Sequence, residues 1–208
     1  MSVMQKNMSE TERIRRLTTL SILTALVFVL QFFGRIPMGM CSLSTVCLPI
    51  VIGAVLLGPW AGAWLGLVFG AAVLLSGDAA AFLTINPFGT VLVVLLKGVA
   101  CGFVSGIVYN ALSRVPALTG KKRFIPVTIA AALCPVTNTA VFLLGCVAFF
   151  MEPVSEWAVG FGMSPFVYLM FGMVGLNFVF EFAFNCILSP VVVRLTELVG
   201  RKRPPAAE

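Results

Sequence analysis

The sequence predicts an all-α integral membrane protein with six transmembrane helices. Of its 208 residues, 60% are hydrophobic and 11% are charged, whereas soluble domains average about 45–50% apolar and about 25% charged residues. A helix that crosses a bilayer needs about 20 apolar residues, so the chain has room for about six crossings and little else. A single transmembrane domain is therefore expected to occupy residues 1–208.

Six apolar runs supply the predicted crossings, and the segments 34–44, 76–87 and 151–165 are expected to be loops. The second and third runs are short and uncharged at their Gly58-Pro59 joint, so they form either two crossings or one re-entrant hairpin. The joint is a tight break, since Gly ends a helix and Pro begins the next one, and two crossings are favoured over the hairpin. The predicted spans are 17–33, 45–57, 60–75, 88–112, 124–150 and 166–198, the last with a bend near Pro190.

Basic residues are concentrated on one side of this topology. With the N-terminus inside, twelve of the 14 Lys and Arg residues lie inside, while Arg35 lies outside and Lys97 lies within the fourth span. Because basic loops stay on the cytoplasmic side of a membrane, both termini are expected in the cytoplasm. Short basic clusters between apolar runs are typical of membrane flanks, and they argue against nucleic-acid binding.

Glycines recur every four residues on two neighbouring spans, a spacing that lets helix backbones approach closely within a membrane. They are Gly62, Gly66 and Gly70 on the third span, and Gly98, Gly102 and Gly106 on the fourth.

Several classes of chemistry are excluded. The chain has no histidine, which removes histidine-based triads, proton relays and metal sites. It contains no HExxH, GxSxG or Walker A motif, so it is not expected to be an enzyme or to hydrolyse ATP itself. Its six cysteines show no CxxC pair and are expected to be small buried hydrophobes.

Two ionisable residues lie near the middle of predicted spans, Lys97 on the fourth and Glu181 on the sixth. A charged group at a helix centre costs about 2.5–3.5 kcal/mol on insertion scales, so each requires a reason. Either the two pair with each other as a structural element, or Lys97 faces a polar cavity and holds an anionic group of a ligand.

Polar residues on neighbouring spans favour a cavity, although each could instead be an interhelical hydrogen-bonding residue. Asn138 lies on the fifth span, Asn177 lies one turn before Glu181, and Asn86 is expected close to the entrance. The predicted substrate-binding residues are Asn86, Thr90, Lys97, Asn138, Asn177 and Glu181.

Five stretches of the chain carry a resemblance to a known family. They are 20–26 (LSILTAL), 48–63 (LPIVIGAVLLGPWAGA), 85–90 (INPFGT), 96–98 (LKG) and 137–139 (TNT). With the six-span layout, they resemble the S-components, the membrane-embedded substrate-binding subunits of energy-coupling-factor (ECF) vitamin transporters. The resemblance covers residues 15–198, and the Gly-Pro-Trp-Ala-Gly joint is its most specific motif.

The resemblance implies a multi-pass protein of a bacterial or archaeal plasma membrane that captures a vitamin from outside. Its partners would be a transmembrane coupling subunit and two ATPases, which would use ATP, so that this chain needs no cofactor. Small residues of the first helix, Ser21 and Ala25, would contact the coupling subunit. The loop after that helix has an apolar face and is expected to be a lid formed by Met38, Met40 and Leu43.

The INP stretch, the basic Lys97 and the helix-borne Asn138 look like those of pantothenate-type members of the family. Lys97 would then bind the carboxylate of pantothenate. Riboflavin or another vitamin is an alternative substrate. A non-transport membrane scaffold with a structural Lys97–Glu181 pair is an alternative of a different class.

Overall fold

The computed structural model describes residues 10–34, 36–38, 41–43, 45–118 and 122–201, and helices dominate them. In chain order the elements are α1 (Glu10–Phe33), β1 (Ile36–Met38), β2 (Cys41–Leu43), α2 (Cys47–Leu57), α3 (Pro59–Ser76), α4 (Ala80–Leu83), α5 (Pro87–Ser113), a 3-10 turn (Pro116–Leu118), α6 (Phe124–Phe149), α7 (Met151–Gly160), α8 (Pro165–Val167), a π-helical stretch (Tyr168–Gly175) and α9 (Leu176–Arg201).

The helical membrane fold is confirmed. Within the described residues, five apolar spans are long enough to cross a bilayer: α1, α3, α5, α6 and the continuous segment Pro165–Leu198. The sixth apolar helix, α2, has 11 residues and is about 16 Å long, roughly half the thickness of the hydrocarbon core. Most of its residues are buried, as expected for a helix that is apolar on every side, so it is an inner helix of the bundle.

The joint between α2 and α3 is the predicted break. Gly58 has a φ of 102°, a left-handed conformation that residues with a Cβ rarely adopt. Pro59 occupies the first position of α3, where its missing N–H leaves no hydrogen bond unmade. The chain therefore reverses at one residue, which brings the base of α3 back against α2.

The two glycine stripes meet each other. A Cβ added to Gly62 would overlap the carbonyl oxygen of Gly102, and one added to Gly66 would overlap that of Gly98. The predicted close approach is thus confirmed as a direct backbone contact between α3 and α5. Such contact replaces the hydrophobic drive that helices lack in lipid.

The predicted loops contain short elements, and in this respect the loop predictions were wrong. Segment 34–44 contains the antiparallel pair β1–β2, in which Met38 is opposite Cys41, and segment 76–87 contains α4. Segment 151–165 contains α7, which buries Val154 and Ala158 on one face and exposes Glu152 and Glu156 on the other. This i, i+4 apolar pair is a short amphipathic pattern in a segment too short to cross a membrane.

The last span departs from regular geometry earlier than expected. Pro190 lies inside α9, whereas the irregular stretch is the π-helix Tyr168–Gly175. π-helical turns often occur at functional sites, because they redirect side chains from the regular helical positions. Here Met173 and Val174 of this stretch line the cavity described below.

Contacts between helices define two ends of the bundle. Helices α1 and α3 run in the same direction, because Thr24 contacts Trp64 and, further along both helices, Gln31 contacts Ser76. Helix α5 runs in the opposite direction, because Gly62 contacts Gly102 whereas the later Gly70 contacts the earlier Val94. The hairpin β1–β2 and segment 77–86 therefore share one end of the bundle, which we call the loop end. Segment 150–164 begins at the same end, because Phe150 contacts Phe82.

Candidate binding site

A cavity lies in the half of the bundle nearest the loop end. The centres of water molecules can occupy about 100 Å³ of it, whereas one buried water needs only about 10–15 Å³, so it has room for a small molecule. Its polar lining is Gln31, Asp78, Thr90, Lys97, Asn138, Thr139, Asn177 and Glu181, and its aromatic lining is Phe69, Phe82, Phe142 and Phe150. Five of the six predicted substrate-binding residues are in this lining.

Lys97 of α5 places its ammonium between two aromatic rings. The nitrogen lies 5.1 Å from the centre of the Phe142 ring and 5.9 Å from that of Phe69. Ring faces attract a cation electrostatically, and they hold the side chain without neutralising its charge. The ammonium of Lys97 thus lies against aromatic rings in a cavity that Glu181 also lines.

The side chain of Glu181, in α9, is held by α2. Its side chain is 2% exposed, and the Cys47 thiol donates to its Oε2 across 3.7 Å. One turn later in the same helix, the Asn185 side chain donates to the Glu181 backbone carbonyl across 2.8 Å. Glu181 is thus anchored to α2, between the cavity and the core of the bundle.

Asn138 of α6 and Asn177 of α9 bring amide groups to the cavity. The side-chain oxygen of each is buried and has no hydrogen-bond partner among the described residues. Buried acceptors in folded proteins are nearly always paired with a protein group, a water or a ligand. Both positions are therefore suited to accept a hydrogen bond from a bound molecule after a small rotation of the side chain.

Asn86 lies outside the cavity lining. Its side-chain oxygen accepts from the Gly89 backbone N–H at 2.9 Å, which caps the first turn of α5. The neighbouring Thr90, which lines the cavity, donates its hydroxyl to the Asn86 carbonyl at 2.8 Å. The structure thus places Asn86 where it fixes the start of α5, one turn before Thr90.

Gln31 and Asp78 were not among the binding residues predicted from the sequence. Gln31 is 1% exposed, and its amide nitrogen donates to the Asp78 carboxylate at 2.6 Å and to the Ser76 hydroxyl at 3.1 Å. A signal was present, because Gln31 is a lone amide near the end of an otherwise apolar span. Its partners could not be found from spacing, since they lie more than 40 residues away along the chain.

An aromatic cluster closes one side of the cavity. The ring of Phe82, on the short helix α4, meets Phe142, Phe150 and Trp157 edge-on at centroid distances of 5.0–5.8 Å. Edge-to-face packing of this kind is favourable for aromatic rings. The cluster ties α4, α6 and α7 together, so these elements of the loop end form one wall.

The predicted lid lies on the β hairpin. Met38 is in β1 and Leu43 is in β2, while Met40 lies outside the described residues. Strand β2 lies beside the last helix, α9, which contributes Asn177 and Glu181 to the cavity. A role of the hairpin as a lid remains a prediction.

Ser21 and Ala25 are exposed on α1. The buried residues of this helix are Leu23, Val27 and Gln31, so its inward face recurs every four residues. Ala25 is two residues from Leu23, or about 200° around a helix of 3.6 residues per turn. The pair thus occupies the face of α1 that points away from the bundle.

Comparisons with known proteins agree with this fold. The family model for the substrate-specific component of ECF transporters matches residues 15–193. A solved structure of an S-component for biotin from an ECF-type ABC transporter has a TM-score of 0.57 and 20% sequence identity, over 95% of this chain and 96% of that one. A search of curated proteins found no match.

The chain is therefore a membrane-embedded, substrate-binding transport subunit. It belongs to the ECF transporter substrate-specific component family. Membership means that it is a binding subunit and not an enzyme, and that it needs no cofactor of its own. Its partners are a coupling subunit, two ATPases that use ATP and a vitamin substrate, and it resides in a prokaryotic plasma membrane.

Proposed function

We propose that the cavity captures pantothenate for ATP-driven uptake and that Lys97 binds its carboxylate. The observation that carries this proposal is the position of Lys97, whose ammonium reaches the cavity with aromatic rings as its neighbours. A cation removed from water is costly unless a counter-charge is supplied. An anionic substrate supplies that counter-charge to the ammonium, which the aromatic rings contact without neutralising it.

The rest of the lining suits the remainder of pantothenate. Its hydroxyl and amide N–H groups can donate to the unpaired oxygens of Asn138 and Asn177. Its methyl groups can lie against the aromatic wall around Phe82 and Phe142. Riboflavin has no carboxylate to match Lys97, whereas biotin does, which makes biotin the more demanding competitor in a binding test.

The direction of capture follows from the charge pattern. If both termini lie in the cytoplasm, the loop end faces outward and the cavity lies in the outer half of the membrane. The described residues Arg13, Arg15, Arg16, Lys122 and Arg123 belong to the opposite end, as the positive-inside rule requires. We propose this orientation, in which the β hairpin covers the cavity from outside.

The test is calorimetric titration of the purified chain with pantothenate, biotin, riboflavin and pantothenol, in which a hydroxymethyl group replaces the carboxylate. We expect one pantothenate per chain, with binding at least about tenfold tighter than that of pantothenol. Tighter binding of biotin or riboflavin than of pantothenate would refute the assigned substrate. If none of these ligands bound, the substrate would be a vitamin other than the three tested.

A further inference from the structure

A second polar site lies at the loop-end side of the cavity, on residues that the proposed carboxylate site does not use. Gln31, two residues before the end of α1, lines the cavity beside Asp78. Its amide nitrogen bridges the Asp78 carboxylate and the Ser76 hydroxyl, and Ser76 also lies 3.2 Å from that carboxylate. Two side chains, Ser76 at the end of α3 and Asp78 in the following turn, thus hold the amide of Gln31 in place.

This arrangement determines which atom of Gln31 is left over. An ionised carboxylate only accepts hydrogen bonds, so the amide must direct its nitrogen, and not its oxygen, towards Asp78. The opposite orientation would bring two acceptors together at 2.6 Å. The oxygen of Gln31 is consequently fixed as an acceptor, and it is buried with no partner among the described residues. Only a donor can satisfy it.

The geometry of α3 gives the spacing between the two polar sites. Phe69 contacts the Lys97 ammonium, and Ser76 contacts the Gln31 amide. The two residues are seven positions apart, which is two helical turns on one face and about 10 Å along the axis. The cation and the amide of Gln31 therefore lie beside different turns of α3, two turns apart.

We infer that Gln31, oriented by Asp78 and Ser76, is a specificity-determining residue that accepts a hydrogen bond from a neutral hydroxyl or N–H at the end of the substrate opposite its carboxylate. The inference rests on the proposed function, because it takes Lys97 as the carboxylate site. It restricts the substrate class to carboxylates that carry a hydrogen-bond donor at the opposite end, at a separation comparable with two turns of α3, about 10 Å.

Pantothenate meets this requirement. About eight bonds separate its carboxylate carbon from its terminal hydroxyl oxygen, and an extended chain advances about 3.5 Å per three bonds, which gives about 9 Å. A site built to hydrogen-bond a polar group discriminates strongly against an analogue that lacks it, because the buried partner is then left unpaired. The terminal hydroxyl is therefore the group from which Gln31 accepts a hydrogen bond.

The test is a binding cycle with two ligands and two proteins. The ligands are pantothenate and its analogue with a methyl in place of the terminal CH2OH. The proteins are wild type and Gln31→Met, which keeps the side-chain length but replaces the amide by a thioether, only a weak acceptor. Wild type should prefer pantothenate by about tenfold or more, and Gln31→Met should bind both ligands equally. Thr196→Val, a buried change in α9 away from the cavity, should keep the wild-type preference.

Asp78→Asn provides a second variant that does not remove Gln31. An amide at position 78 no longer imposes one orientation on Gln31, so the preference for pantothenate should shrink. A full wild-type preference in Gln31→Met would overturn the inference while leaving pantothenate as the substrate. If wild type bound biotin and not pantothenate, the same cycle would be run with biotin and a ureido-N-methylated biotin. Loss of the preference for biotin in Gln31→Met would support the role of Gln31. A retained preference for biotin would overturn the inference.

Discussion

Gly66 of α3 lies directly against Gly98 of α5, so that a methyl group added to either α-carbon would overlap the carbonyl oxygen of the other. Both helices also contribute to the cavity, through Phe69 and Lys97. The contact between the two glycines is one turn or less from these residues along each helix. The close approach of the backbones therefore sets the distance between the Lys97 ammonium and the aromatic ring that holds it.

Gly66→Ala should destabilise the purified protein. The added Cβ meets backbone atoms that cannot rotate away, so the helices must separate, and overpacking of this kind typically costs about 1–3 kcal/mol. The change is measured as a lower thermal unfolding midpoint in detergent. Gly160→Ala is the matched control, since a Cβ there meets nothing within 4 Å. Equal midpoints for the two variants would show that the α3–α5 contact is looser than described.

Ala25→Trp should separate binding from uptake. Ala25 is exposed on the outer face of α1, so the isolated variant should fold and bind its vitamin normally. A bulky ring there should block docking of the coupling subunit, because helices in membranes associate through close shape matching. Uptake by cells that express the whole transporter should then be lost.

Leu144→Trp on α6 is the control for that experiment, because Leu144 is also exposed (69%) and lies on another helix. Its uptake should remain normal. Normal uptake by Ala25→Trp would refute the docking role of this face, and loss of vitamin binding by the isolated variant would place Ala25 in an internal contact instead.

The orientation in the membrane predicts a labelling pattern. Lys122 precedes α6 and Glu156 lies in α7, after the same helix, and both are exposed. Single cysteines at these two positions, in a chain otherwise free of cysteine, should react with impermeant reagents from opposite sides of the membrane, with position 156 accessible from outside. Labelling of both positions from one side would contradict the predicted topology.

The lid prediction concerns residues 34–44. If the β hairpin covers the cavity, bound vitamin should slow hydrogen exchange within this segment, because its backbone would open less often. The connection at 114–118, at the other end of the bundle, is the internal control and should exchange equally with and without ligand. Unchanged exchange in both segments, at saturating vitamin, would remove the lid role.

The sequence predicted the helical scaffold well because membrane burial leaves few alternatives. Backbone polar groups must be satisfied within each crossing segment, so apolar runs and their breaks at Gly58-Pro59 locate the helices. The four-residue glycine repeats predicted close helix approach, because small residues let backbones meet; that the two repeats face each other was seen only in the structure. Shorter elements such as α4 and α7 were not predicted, because they form by packing against the end of the bundle and do not cross the membrane.

The candidate site was predicted only in part. Lys97 stood out because an isolated charge in an apolar span has few structural explanations. Gln31 did not stand out, since a single amide is tolerated in many spans. Its orientation is set by Asp78, which lies in a turn far away along the chain. Asn86 was expected near the ligand because of its polarity, whereas its local role as a helix cap uses the same polarity.

The central claim is that Lys97 binds the carboxylate of the vitamin, and a cycle with Lys97→Met tests it most directly. The variant should fold, because methionine also packs well against aromatic rings. Loss of a hydrogen bond to a charged group costs about 1.5–3 kcal/mol, so its affinity for pantothenate should fall at least about tenfold. Its affinity for the uncharged pantothenol should stay near that of wild type. An equal loss for both ligands, or no loss for either, would show that Lys97 does not bind the carboxylate.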